Sequence, residues 1–356
     1  MKKTILWLLC AALLAGVLSG CQKAENKDGR SITDGLGRQV VVPETIQRIV
    51  CVGVGALRYT CYMDAADLVV GVEDYETKPG MTRLYQYVNF DKFKDLPVIG
   101  GNGEPYAEQI LAVNPQVIVL SAYASVNADD LTAQTGLPVV VVPGSDTTLD
   151  EKAYATISIL GELYGRRARA QELTQYLKNL EKDLAERTAE IADKPSVYVG
   201  GVSYKGHHGF EGTEANYGPF TLIRAYNLAD TTSQTGAFNI DVEQVLTWNP
   251  DIIFVDYNGL ELIRQDYAQR PAFYEGLTAV QEGEVYAQIS FRSFASNLET
   301  ALADAYYAGT VIFPEAFADI KIEEKVGEIF TAILGENPYP ALKEAGYAFA
   351  PVDIRP

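Results

Sequence analysis

Histidine is nearly missing from this chain: His207 and His208 are the two in 356 residues. A bare zinc or manganese ion usually recruits several histidines together with carboxylates, so no such site is expected. Cysteine is scarce too, and two of the four, Cys10 and Cys21, fall in the leading segment. Cys51 and Cys61 have no C-x-x-C spacing and are expected as two buried thiols, with a disulfide as the alternative. No phosphate loop of the form G-x-x-x-x-G-K-S/T occurs, no G-x-S-x-G elbow and no H-E-x-x-H helix, which removes the usual signatures of nucleotide, ester and zinc-dependent peptide hydrolysis. Positive charge is short, with 29 Lys and Arg against 47 Asp and Glu and a net charge of −18. So acidic a body repels phosphate backbones and anionic headgroups, and nucleic-acid binding is not expected.

What is present begins with the first twenty residues. Lys2 and Lys3 precede an apolar run from Ile5 to Val17, and the run ends Leu18-Ser19-Gly20-Cys21. A charged start, a short apolar stretch and small residues at the cut describe an export signal spanning 1–20. Leu-Ser-Gly-Cys resembles a bacterial lipobox, and that resemblance implies cleavage before Cys21 and a lipid on its sulfur. Residues 21–30 are polar and read as a tether. No later segment reaches the ~18 apolar residues that a spanning helix needs. The mature chain, about 336 residues long, is enough for two domains with full cores.

One twelve-residue pattern appears twice, 135 positions apart. Glu108 to Val119 reads EQILAVNPQVIV, and Glu243 to Phe254 reads EQVLTWNPDIIF. Each predicts a short helix, a stop at Asn-Pro, and an apolar run suited to a strand buried on both faces. The repeat implies two similar α/β lobes with mainly parallel sheets, at 31–148 and 194–356. Between them, 149–193 lacks proline, and Leu173, Tyr176, Leu177, Leu180 and Leu184 fall at helical spacing. A long connector helix is expected there. Two lobes make a cleft, and clefts between domains are preferred ligand sites.

Several features together resemble one family. They are Thr33-Asp34-x-x-Gly37-Arg38-x-Val40-x-Val42-Pro43, the Arg48-Ile49-Val50 strand, Gly161-Glu162-Leu163-Tyr164-Gly165-Arg166, and both Glu-x-x-Leu-x-x-Asn-Pro units. In that order they look like a class III substrate-binding protein of an ABC importer, the type with a helical backbone that serves ferric siderophores, haem, cobalamin and, in some members, molybdate. The resemblance implies a monomeric receptor, without intrinsic cofactor or enzymatic activity. It would be anchored by Cys21 at the extracytoplasmic face of the cell membrane and partnered with a permease and its cytoplasmic ATPase. It also implies that Glu108 and Glu243, one per lobe, dock on permease arginines; exposed carboxylates on rigid helices suit bidentate guanidinium pairing.

The family's usual cargo makes a ferric siderophore or similar iron chelate the first expectation. Haem, cobalamin and molybdate or tungstate are the alternatives within the fold, and an exported enzyme is the alternative of another class. Candidate ligand contacts follow the predicted strands, where α/β folds place ligands. They are Arg58 and Tyr59 after the first core strand, Tyr123 after the first repeat strand, and Asp256 and Tyr257 after the second. The Gly-rich loop adds Tyr204, Lys205, His207 and His208, with either histidine a candidate iron ligand. Arg292 is the candidate cation for carboxylate, catecholate or oxyanion groups.

Overall fold

The computed structural model describes residues 29–101, 103–145 and 147–356. The export signal and Cys21 lie outside the described residues. The expected tether meets them only at its end, where a correction applies. Gly29 and Arg30 belong to strand β1 (Gly29–Thr33), paired antiparallel with β2 (Gln39–Pro43).

The N-terminal lobe is built on β3 (Ile49–Val52), β4 (Val69–Glu73), β5 (Val98–Gly101), β6 (Glu104–Pro105), β7 (Val117–Ser121) and β8 (Val139–Val142), in the order β6-β5-β4-β3-β7-β8. All neighbours are parallel except β5 and β6. The sequences IVCV, VIVLS and VVVV of β3, β7 and β8 are buried at every position, as parallel strands covered on both faces must be. In the C-terminal lobe, β9 (Ser196–Gly200), β11 (Tyr226–Asn227), β13 (Ile252–Asp256) and β14 (Val285–Gln288) form an all-parallel sheet in the order β11-β9-β13-β14. A separate antiparallel ribbon pairs β10 (Gly212–Ala215) with β12 (Gly236–Asn239).

Both repeat units fold as their spacing requires. The helices are Ala107–Ala112 and Val242–Trp248, and the strands that follow are β7 and β13. Asn114 and Asn249 close the two units in the same left-handed conformation, at φ 46° and 48°. Asparagine tolerates that region better than most residues, and the following proline bars a further helical turn.

The connector is two helices, not one. Glu151–Leu163 and Arg167–Arg187 are separated by a turn in which Gly165 takes φ 67° and the Arg166 amide reaches back to the Gly161 carbonyl. Gly161 lets the two helices cross: a Cβ there would stand 2.4 Å from that of Ala170. Leu173, Leu177, Leu180 and Leu184 are buried as the stripe predicted, with Tyr176 half-buried beside them. The second helix is bolted to the C-terminal lobe, with Arg187 on Asp183, Asp319 and the Ala316 carbonyl, and Arg169 on the Ala332 carbonyl. One apolar cluster runs from the N-terminal sheet through this connector to Leu298–Ile312, a helix buried along almost all of its length. Cys51 and Cys61 are free, buried thiols, as expected.

Candidate functional site

Strand order locates the site. In each sheet the chain proceeds to one side of a central strand and then to the other, and the crevice beyond the carboxyl ends of the strands at that reversal is where open α/β sheets bind ligands. In the N-terminal lobe the reversal lies between β3 and β7. The loops meet there: a Cβ on Gly53 (φ 83°) would stand 2.9 Å from that of Ala124 and 3.0 Å from that of Ser121. In the C-terminal lobe it lies between β9 and β13, where a Cβ on Gly201 (φ 81°) would meet the Asp256 carbonyl and the Gly259 Cα at 3.1 Å.

Arg292, four residues past β14, carries a fixed positive charge at the C-terminal lobe's side of this region. Its Nε donates to Glu214 Oε2 at 2.6 Å, and Nη2 pairs with Oε1 of the same carboxylate. Glu214 is 2% exposed, while the Arg292 side chain keeps 23% of its surface. Burial works against the guanidinium charge, but the two bonds from Glu214 more than compensate and hold its pKa above the ordinary value. Burial lifts the Glu214 carboxyl in turn, although Arg292 pulls it back. The geometry leaves Nη1 without a hydrogen bond among the described residues. A buried carboxylate thus fixes the plane of the guanidinium and its outward edge stays available.

Hydroxyls from both lobes stand at the lobe boundary, and those of Tyr123 and Tyr217 are within electrostatic reach of Arg292. Tyr123, after β7, is 43% exposed, donates to the Ser145 carbonyl at 2.6 Å, and is within electrostatic reach of Arg292. Tyr217 is fully buried against Phe291 and Phe220, within reach of Arg292 and Glu214. Tyr59 lies buried within reach of Tyr123. Thr148 packs against Gly218 so closely that a Cβ there would stand 1.6 Å from its Oγ1. The hydroxyls of Tyr59, Thr148 and Tyr217 are buried and have no hydrogen-bond partner among the described residues. Such groups are costly unless something accepts from them. Neutral donors around one oriented guanidinium can hold a compact, oxygen-rich anion.

The other expected contacts take different positions. Arg58 is not a ligand group: it is 1% exposed, and its donors are committed across the lobe boundary to Asn297 and to the carbonyls of Ser293, Phe294 and Ser296. Tyr59 is 2% exposed, with its ring edge-on to Tyr62 at 5.5 Å. Asp256 is also sealed in, capping the helix Tyr257–Gln269 through the Asn258 amide and accepting from Ser290 Oγ. Burial pushes its carboxyl up to about 7. Tyr257 turns to the chain terminus and donates to the Ala348 carbonyl at 2.8 Å. In the Gly-rich loop, Tyr204 stacks on His208 at 4.1 Å and donates to Asn239. His208 Nε2 donates back to the Tyr204 carbonyl, exposed His207 donates from Nδ1 to the Asn258 carbonyl, and Lys205 is exposed at φ 50°. No group of three or more His, Cys, Asp or Glu side chains among the described residues is arranged for a metal. Of the expected set, then, Arg292 and Tyr123 are brought together across the boundary, with the buried hydroxyl of Tyr59 behind Tyr123. Glu108 and Glu243 are exposed in the first turns of equivalent helices.

Sequence reasoning missed Glu214, Tyr217 and Thr148. Glu214 had a weak signal, a single acidic residue inside the ribbon strand Gly-Thr-Glu-Ala; a buried carboxylate there calls for a cation.

Residues 64–288 match the family model described as periplasmic binding protein, and the chain belongs to that family. The molybdate-binding protein MolA of Haemophilus influenzae is 23% identical, over 90% of this chain and 95% of MolA. An uncharacterized ABC transporter substrate-binding lipoprotein of Bacillus subtilis, YvrC, is 24% identical over 71% of this chain and 80% of its own. Among solved structures, the TroA-like periplasmic binding protein FepB from Veillonella parvula superposes with a TM-score of 0.66 at 20% identity, covering 86% of this chain and 97% of that chain. The fold is the two-lobed class III type, and the protein is a substrate-binding component of an ABC transporter, not an enzyme. No helix among the described residues is long and apolar enough to cross a membrane.

Proposed function

We propose that this receptor captures a small tetrahedral oxyanion of the molybdate or tungstate class between its lobes. The reading thereby departs from the iron chelate first expected. The observation that carries it is the Arg292 guanidinium, locked by buried Glu214 with Nη1 directed away from that pair, and the three unpartnered hydroxyls of Tyr59, Thr148 and Tyr217 that support it. MolA, similar over nearly the whole chain, is named for molybdate and adds support. A compact anion needs a tight cage of donors, whereas a chelate needs a broad aromatic cleft. On this reading a lipid on Cys21 holds the receptor at the outer face of the membrane, and Glu108 and Glu243 meet permease arginines.

A ferric chelate is the second reading, favoured by the exposed rings of Tyr123 and Phe294 and by the likeness to FepB. Calorimetric titration of the purified protein with molybdate, tungstate, sulfate and ferric siderophores separates the two. Molybdate or tungstate binding that is lost in Arg292→Met supports the oxyanion. Binding of a ferric siderophore alone overturns it in favour of the chelate.

A further inference from the structure

The segment Ser293–Asn297 belongs to the C-terminal lobe but is held by the N-terminal one. Phe294 and Ala295 take φ 53° and 68°, two successive left-handed residues without a glycine, and Arg292 bridges back to Ser296 across them. Side chains with a Cβ resist that conformation, so something must hold it. Arg58 does so from the other lobe. Its Nη2 donates to the Ser293 carbonyl at 2.8 Å and the Phe294 carbonyl at 2.5 Å, Nη1 to the Ser296 carbonyl at 3.1 Å, and Nε to Asn297 Oδ1 at 2.9 Å. The same lobe grips the turn from its sides. Tyr75 stacks on Phe294 at 4.5 Å, Arg83 lies over the Phe294 ring at 4.8 Å, and Thr82 Oγ1 is 3.1 Å from Ser293 Oγ. Arg58 itself lies over the Tyr85 ring at 4.9 Å, in the first turn of the helix Ala56–Tyr62 that follows the Gly53 loop at the sheet's reversal.

We infer that Arg58 is a positioning residue for ligand capture. It latches the strained turn across the lobe boundary and so sets Arg292, the residue immediately before the turn, in its binding position. Affinity for the anion is thereby tied to closure of the lobes, because the guanidinium that meets the ligand is in place only when the latch is made. Lysine could not substitute, since a single ammonium cannot reach four acceptors in a planar fork. The inference rests on Arg292 as the anion contact, and the test keeps the two claims apart.

The full chain is prepared as wild type, Arg58→Met, Arg292→Lys, the double variant and Ala295→Pro. Titration with molybdate and tungstate is paired with amide hydrogen exchange at Ser293–Asn297. Proline fixes φ near −65° and so breaks the turn from the loop side, leaving the N-terminal lobe's core untouched. Arg58→Met should weaken binding about tenfold, as expected when the competent state falls to a tenth of the population. It should also speed exchange across the turn, and Ala295→Pro should do both. In the Arg292→Lys background, Arg58→Met should cost no further affinity, a coupling that a merely structural role would not produce. Wild-type affinity in a folded Arg58→Met, or an equal loss in both backgrounds, overturns the inference. Should Arg58→Met fail to fold, Ala295→Pro carries the test. If the wild type binds neither anion, the oxyanion reading fails by itself and exchange alone judges the latch: faster exchange in the variants sustains it, and unchanged exchange overturns it.

Discussion

Replacing Asp256 by asparagine should flatten the pH dependence of stability. Asp256 ends β13, is 1% exposed, and accepts hydrogen bonds from the Asn258 amide and Ser290 Oγ. Burial is the main cause that lifts its carboxyl from 3.8 to about 7; those two bonds lower it only in part, and nearby Glu214 adds to the rise. A carboxyl raised by folding binds its proton more tightly in the native state than in the unfolded one. Its contribution to stability is therefore complete below the unfolded pKa and is lost as pH rises through the folded one. Within that window, between about pH 4 and about pH 7, each pH unit costs up to about 1.4 kcal/mol, so a rise from about pH 5 to about pH 7 costs about 2 kcal/mol and to about pH 8 about 3 kcal/mol. Asparagine keeps an acceptor for both bonds and does not titrate. Urea unfolding followed by circular dichroism, run from pH 5 to pH 8 on both proteins, reads the difference. Glu76, which burial also lifts to about 7, is common to both proteins and cancels. Asp304, raised by burial and in smaller part by Asp256, relaxes slightly in the variant. The free-energy difference should move by about 3 kcal/mol in favour of Asp256→Asn as pH rises. Parallel curves would refute the assignment of a buried, protonated Asp256.

Three further outcomes are expected. Gly161→Ala should lower stability by about 1–3 kcal/mol through overpacking, because its Cβ would stand 2.4 Å from that of Ala170; a thermal melt measures the loss, and Ala170→Gly should restore it. Cys51 and Cys61 should resist a thiol reagent in the native protein and react on unfolding, since both are buried and burial pushes the Cys51 thiol up to about 12; titration with and without denaturant checks this. Glu108→Ala combined with Glu243→Ala should abolish uptake in cells while leaving the affinity of the purified protein unchanged; undiminished uptake would remove both glutamates from permease docking.

The fold could be read in the sequence because its signals are local. Asn114-Pro115 and Asn249-Pro250 mark helix ends whatever surrounds them, and IVCV or VVVV is suited to a strand covered on both sides. The connector departs from a single helix at one point for the same reason. Nothing between Leu163 and Arg167 forbids a helix, and the break arises where Gly161 must sit flat against Ala170 while Gly165 turns the chain.

The site depends on which residues meet across about 70 or more positions, such as Thr148 with Gly218 and Glu214 with Arg292, and there charge and strand position are not enough. Arg58 and Arg292 are both arginines just beyond core strands, and the sequence ranks them alike. What separates them is the partner each finds. Glu214 meets Arg292 through two of its nitrogens and leaves the third, while the carbonyls of Ser293, Phe294 and Ser296 and the Asn297 amide use Arg58 on all three. Carbonyl acceptors arise only from a backbone in the left-handed turn at Phe294 and Ala295, and no residue type there announces it. The same reasoning explains the missed hydroxyls. Tyr217 and Thr148 are ordinary core and loop residues by pattern, and they acquire a role when the Gly218 backbone comes against Thr148 at the lobe boundary. A binding arginine and a latching arginine are thus distinguished by how many donors the fold leaves unspent, a property of the assembled lobes and not of the segment that carries either residue.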